Sequence, residues 1–173
     1  MTTKEQVYEN LRSNGLEPEL VQALVDLAIS EDLMGGTDVT SLATIPEIQI
    51  SELDLVTRSP GVIAGINIAA LVFLSITNKK IEIELCVEDG KKVDAKTCLL
   101  TAKGSTIDLL TAERTALNFL GHLSGIATTT NKWVNEISGT NAKVRDTRKT
   151  TPGLRLLEKY AVKTGGGTNH RMS

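Results

Sequence analysis

Two short segments carry most of the chemistry open to this chain of 173 residues. The first is Asp146-Thr147-Arg148-Lys149-Thr150-Thr151-Pro152-Gly153, and the second is Gly165-Gly166-Gly167-Thr168-Asn169-His170-Arg171. Arg148 can grip a carboxylate through two parallel hydrogen bonds, while Lys149 offers a compact charge suited to phosphate. Adjacent side chains on a regular strand point opposite ways. Both cations therefore meet one ligand only if the chain is already turning, which Thr150-Thr151-Pro152-Gly153 supplies. The triple glycine permits close backbone approach to a ligand, and loops of this kind bind anions through free N–H groups. His170 could donate to a carboxylate. The same pattern has a structural reading: a solvated basic loop paired with Asp146 and Glu158, a flexible glycine connector and a plain structural histidine.

Charge is distributed in a way that favours an anionic ligand at this end. From Lys143 to Arg171 there are eight Lys/Arg against two acids, whereas the remainder holds 11 basic and 19 acidic residues. An acidic body with a basic C-terminal segment points to a negatively charged partner there. Nucleic acid is the rival, but aromatics are only 3% of the chain and none interleaves with the cations, so stacking surfaces are missing. Cys86 and Cys98 are too few for a disulfide framework and read as buried thiols in a reducing compartment. The N-terminus shows no secretory core, and apolar runs fall short of the ~18 residues of a membrane span. The expected location is cytoplasmic.

The elements that must position these groups follow from periodicity and punctuation. Residues 4–13 read as a helix, and Pro18 opens a second whose apolar face is Leu20, Leu24, Leu27 and Ala28. Gly35-Gly36 ends that region. A strand around Leu53 and Leu55 breaks at Ser59-Pro60-Gly61, and Val62–Gly65 leads into a helix over 66–76. Ile81, Ile83, Leu85 and Val87 alternate with Glu82, Glu84 and Cys86, which describes a half-buried strand. Asp89-Gly90 turns the chain, and Thr97 to Ala102 is again extended. The Asp89–Val93 stretch echoes small carrier domains, but Lys91, Lys92 and Lys96 are scattered, and sheet architecture is the simpler reading.

From Ser105 the period changes. Ser105 and Asp108 form a capping signature, and Leu109, Leu110, Ala112, Ala116, Leu117, Leu120 and Leu123 make an apolar helix face. On that helix Arg114, Asn118 and His122 fall at i, i+4 and i+8. They are either a wet face or a stripe that sends Arg114 into a site, with Gly121 and Gly125 letting another chain approach. A further helix is expected over 125–137, a short strand over 142–146, and a helix capped by Thr151, begun by Pro152 and closed by Gly165. The first ~105 residues thus form an α+β unit, and the tail reads as the start of a parallel barrel or sheet. A barrel takes about 250 residues. The expectation is that these 173 residues alone neither close one nor turn over substrate.

Several pieces, in order and spread over nearly the whole chain, resemble the carboxylating nicotinate-nucleotide pyrophosphorylases, also called quinolinate phosphoribosyltransferases. They are Glu31-Asp32-Leu33, Gly36-Thr37-Asp38-Val39-Thr40, Ala112-Glu113-Arg114-Thr115-Ala116-Leu117-Asn118, Ser124-Gly125-Ile126-Ala127-Thr128, Asp146 to Pro152, Gly165-Gly166 and Asn169-His170-Arg171. The resemblance implies an N-terminal open-faced α/β sandwich over 1–108. Over 109–173 it implies connecting helices and the first strand–helix unit of a TIM-like α/β barrel that is incomplete in this chain. The reaction it implies joins quinolinate to phosphoribosyl pyrophosphate, giving nicotinate mononucleotide, pyrophosphate and carbon dioxide, with magnesium accompanying the pyrophosphate. Carried over by position, Arg148, Lys149, His170 and Arg171 hold the dicarboxylate with Thr147 beside them. Arg114 enters the site of a second subunit, which makes a homodimer the minimal working unit. The family's further lysine and its acidic metal-serving residues have no counterpart within these residues. Two alternatives stand beside this reading: a related phosphorylase-like group linked to molybdenum uptake, and a non-catalytic dimerisation or ligand-binding module.

Overall fold

The computed structural model describes residues 1–76 and 81–170. Helix α1 (Lys4–Ser13) opens with a capping box in which Thr3 and Gln6 exchange side-chain and backbone hydrogen bonds. Helix α2 (Pro18–Leu33) has its proline in the first turn and ends on Met34 at φ 50°. Its buried stripe is Val21 and Val25, with Leu24 and Ala28 at the edge, whereas Leu20 and Leu27 are exposed. The apolar face expected from the leucines is therefore turned around the helix. The sequence carries two overlapping apolar stripes, and packing against a later helix selects the valines. Helix α3 (Val39–Thr44) was not anticipated. Asp38 caps it, accepting from the Ser41 amide at 3.1 Å and from the Ser41 hydroxyl at 2.6 Å. Those bonds hold the Asp38 carboxyl below its usual range.

Strands β1 (Ile50–Val56) and β2 (Gly61–Val62) precede helix α4 (Ile66–Ser75), and strands β3 (Glu82–Leu85), β4 (Lys92–Val93) and β5 (Cys98–Ser105) follow it. The main sheet runs β1-β5-β3, all antiparallel, while β2 and β4 pair separately. The expected alternation holds on β3: Ile83 is buried and Glu84 and Cys86 face out. Lys92 lies within β4, in keeping with sheet architecture rather than an attachment tip. Every residue of α4 from Ile66 to Phe73 is buried. A helix apolar on all sides belongs in the middle, and α4 packs against α1, α2, β3 and β5 as well as the long helix that follows. Cys86 is exposed and Cys98 half-buried, so neither is the buried thiol that composition suggested.

Helix α5 (Thr106–Glu136) is continuous over 31 residues. The two helices expected on either side of Ser124 are one, because isolated glycines cost a helix only about 1 kcal/mol each and tertiary bonds outweigh that. The Ser124 hydroxyl accepts from Ala64 N at 3.1 Å and lies 3.2 Å from its carbonyl, and Thr128 Oγ1 accepts from Val62 N at 2.9 Å. The close approach needs glycine: a Cβ on Gly61 would lie 2.6 Å from Thr128 Oγ1, and one on Gly65 2.8 Å from Leu123 Cδ1. Leu109, Ala112, Ala116, Leu120 and Leu123 are buried as expected, but Leu110 and Leu117 are exposed.

Beyond α5 the expected strand over 142–146 is reduced to a single parallel bridge between Arg145 and Thr168. Asp146 N donates to Thr168 O at 3.2 Å and Thr168 N to Val144 O at 2.9 Å. Thr151-Pro152-Gly153 forms a turn, and helix α6 (Arg155–Thr164) starts beyond it with Leu154 at the cap, not at Pro152. Gly165 closes it as expected. The architecture is an α+β body followed by an isolated bridge and helix α6. Among the described residues no helix is long and apolar enough to cross a membrane.

Candidate anion-binding site

The Arg145–Thr168 bridge lays the turn after residue 146 alongside residues 169 and 170. At the junction sits a cation that a tally of charges does not distinguish from its neighbours. Lys159 is 1% exposed. Its ammonium donates to Asp146 Oδ1 at 2.8 Å and to the His170 carbonyl at 2.6 Å. The same Asp146 oxygen accepts from His170 N at 2.7 Å. With its amide turned to donate, Asn169 Nδ2 lies 2.9 Å from Asp146 Oδ2 and 3.0 Å from the Lys159 carbonyl. A buried ion pair with its remaining lone pairs and protons satisfied is the arrangement that survives desolvation. It fixes where the 147–149 turn leaves the fold and where His170 follows. A lysine beside buried Leu157 and Tyr160, with a lone aspartate ending the preceding strand, was the signal for this pair.

The turn itself projects outward. Lys149 N donates to Thr147 Oγ1 at 3.0 Å, a local bond that bends the chain. Arg155 braces it from below, donating through Nε to Thr150 Oγ1 at 3.2 Å and through Nη2 to the Arg148 carbonyl at 3.3 Å. Thr147, Arg148, Lys149 and His170 are all exposed. Neither Arg148 nor Lys149 has an ion-pair partner among the described residues. The structural reading paired them with Asp146 and Glu158. Both acids are committed elsewhere, so that pairing is corrected. Arg171 lies outside the described residues.

Glu158 faces α5 instead. Its Oε1 lies 3.0 Å from His122 Nε2 and its Oε2 accepts from Thr151 N at 3.2 Å. Burial alone would raise this carboxyl, but the Thr151 and His122 hydrogen bonds outweigh it and leave the carboxyl below its usual range. A cleft of about 650 Å³ opens here, with Asp32 and Glu31 of α2, Asn118 and His122 of α5, and the Thr151–Leu154 turn among its lining. At its rim the Arg114 guanidinium contacts both oxygens of Asp32, at 2.9 and 3.1 Å. Arg114 is 70% exposed and Asp32 20%, so the carboxylate holds the arginine while leaving it presented to solvent. The 114–118–122 stripe is thus a line of side chains whose two ends are fixed by acids from α2 and α6.

The triple glycine serves packing. A Cβ on Gly165 would lie 2.4 Å from the Ala127 carbonyl oxygen and 2.8 Å from Thr130 Cβ, and one on Gly167 2.7 Å from Val162 Cγ1. Asn131 Nδ2 donates to Gly165 O at 3.2 Å. The close approach is to α5, where a ligand had been expected. Gly121 and Gly125 face open space among the described residues. Two further groups were missed because they join distant segments: Asp89 accepts from Ile66 N at 2.9 Å and from the Tyr160 hydroxyl at 2.6 Å. Burial pushes the Asp89 carboxyl up, and burial with the Asp89 charge pushes the Tyr160 hydroxyl up.

Comparison with known proteins places this geometry in a family. Residues 38–124 match the quinolinate phosphoribosyl transferase N-terminal domain and residues 126–173 the C-terminal domain of the same family. The nicotinate-nucleotide pyrophosphorylase [carboxylating] of Mycobacterium leprae is 49% identical over 146 residues, covering 84% of this chain and 51% of the relative. A quinolinate phosphoribosyltransferase [decarboxylating] of Nicotiana glauca is 38% identical over 152 residues, covering 88% of this chain and 43% of that protein. Among solved structures, the nicotinate-nucleotide pyrophosphorylase of Francisella tularensis superimposes with a TM-score of 0.82 at 40% identity, covering 90% of this chain and 55% of that one. The chain spans about half the length of the curated relatives it matches. Matched along both domains, with an α+β body and a basic turn held by a buried ion pair, the chain belongs to the quinolinate phosphoribosyl transferase family.

Proposed function

We propose that this protein serves phosphoribosyl transfer from phosphoribosyl pyrophosphate to quinolinate with decarboxylation, yielding nicotinate mononucleotide, pyrophosphate and carbon dioxide. The observation that carries the reading is the state of Arg148 and Lys149. Two adjacent cations stand exposed on a braced turn while the nearby acids are used elsewhere. A pyridine with two carboxylates must lose water from both, and each needs a charge-assisted partner. Arg148 supplies the forked donor and Lys149 the second charge, with Thr147 and His170 beside them; the family resemblance adds Arg171 to the same role. Holding the pyridine nitrogen against the sugar carbon is mainly a positioning gain, and Asp146 with Lys159 provides the rigid base. The relatives' names support the reaction.

Arg114 completes the site of a second copy in a homodimer, with Asp32 tethering its guanidinium through Nη1. Magnesium accompanies the pyrophosphate of the donor substrate. Among the described residues no group of three His, Cys, Asp or Glu side chains gathers as a metal site. The test is calorimetric titration of the protein with quinolinate and with nicotinate. The expected result is tighter binding of the dicarboxylate, lost in Arg148→Ala. Equal affinity for both acids would overturn the assignment.

A further inference from the structure

We propose that Cys86 and Cys98 form a peroxide-responsive thiol pair that closes to an intramolecular disulfide, a modification site on the solvent face of the main sheet. The two sulfurs lie 3.5 Å apart. They are neighbours because of a defect in the sheet. Leu55 pairs with Leu100 and Val56 with Cys98, so Leu99 is skipped in the register. Without that bulge, Cys98 would share the inward face of Leu100. With it, Leu99 and Leu100 are both buried, at 4% and 0% exposure, and Cys98 emerges on the side of Thr101. Bulges re-aim side chains in this way. Cys86, whose amide donates to Leu99 O at 2.9 Å, meets it diagonally across the strand pair.

One hydroxyl lies beside both sulfurs. Thr101 donates its hydroxyl proton to Asp54 Oδ1 at 2.7 Å, leaving its lone pairs toward both sulfurs, 3.8 Å from Cys98 and 4.0 Å from Cys86. A disulfide has an S–S length of about 2.05 Å, so side-chain rotation must close about 1.5 Å. Burial pushes the Cys98 thiol up, whereas Cys86 is exposed, so Cys86 meets the oxidant first. Its thiolate attacks one oxygen of hydrogen peroxide. An S–O bond forms, the O–O bond breaks, and hydroxide leaves with the proton of the original thiol as water. The Cys98 sulfur then attacks the sulfenic sulfur of Cys86. The S–S bond forms, the S–O bond breaks, and the departing hydroxide takes the Cys98 proton as a second water. Two thiols are oxidised and one peroxide is reduced. Cellular dithiols reverse the step by exchange. Closing the 86–98 loop restricts the unfolded chain, so the oxidised protein is expected to melt at a higher temperature.

The test is titration of the reduced 173-residue chain with hydrogen peroxide, quenching with N-ethylmaleimide, then intact-mass and peptide mapping. The expected result is simultaneous loss of both thiols, a mass lower by two hydrogens, and one peptide pair joining residues 86 and 98, all reversed by dithiothreitol. In Cys86→Ser, a substitution at an exposed position, the remaining thiol reacts more slowly and no internal cross-link forms. Cys86 accumulating as sulfinic acid while Cys98 stays alkylatable would overturn the proposal. So would a disulfide found only between molecules. Should Cys98→Ser fail to fold, the wild-type map and Cys86→Ser still decide.

Discussion

Lys159 and the Arg148–Lys149 pair belong to the same basic segment, and the fold treats them in opposite ways. Lys159 is sealed inside, neutralised by Asp146 and tied to the backbone at His170. Arg148 and Lys149 stand in solvent with their backbone braced. Asp146 precedes Thr147 in the chain, yet its carboxylate turns inward, away from the cations beside it. A count of charges therefore overstates what a ligand can meet. What matters is which cations the fold leaves unneutralised, and here one buried pair sets the platform on which two others remain available.

If that division is right, the two kinds of cation must fail differently. The largest effect is expected from Lys159→Met, which leaves Asp146 buried without its counter-charge and should cost about 3–5 kcal/mol in urea unfolding. A loss under about 1 kcal/mol would mean the inner pair is not a platform. Next comes Gly165→Ala, whose methyl meets Ala127 backbone at 2.4 Å. Overpacking of this kind costs about 1–3 kcal/mol, and a neutral result would show that α6 can slide away from α5. Arg148→Ala should behave in the reverse sense. Unfolding free energy stays within about 0.5 kcal/mol, while quinolinate affinity falls by about 1.5–3 kcal/mol, the range for a charged hydrogen-bond partner.

The smallest effect concerns Glu158. Its carboxyl lies below the usual range in the folded state, so its contribution is complete above the unfolded value of about 4.3 and is lost as pH falls through the lower folded value. Glu158→Gln should cost about 1 kcal/mol near neutrality and flatten the acid limb of a stability–pH profile. An unchanged acid limb would assign that limb to other carboxylates, with Asp38 the first candidate because the Ser41 hydrogen bonds also lower it.

Much of this was legible beforehand, and what was not has physical reasons. The alternation around Ile83, the cap at Ser105 and the turn after Asp146 depend on near neighbours, which sequence displays. The valine stripe of α2, the unbroken α5 and the inward lysine depend on partners far along the chain. The run from Leu109 to residue 137 reads as two helices until the Ser124 hydroxyl is seen to meet Ala64. Gly165-Gly166-Gly167 reads as a ligand loop until α5 is seen against it. The family pattern found the exposed cations, while the pair beneath them needed coordinates.

The length of α5 has one more implication. At 1.5 Å per residue a helix of 31 residues extends about 46 Å, and this one is riveted near its middle by Ser124 and Thr128 to the 62–64 segment and further on by Gly165 and Asn131 to the end of α6. Such a rod resists bending between the segments it joins, and scattering profiles taken with and without quinolinate are expected to superimpose.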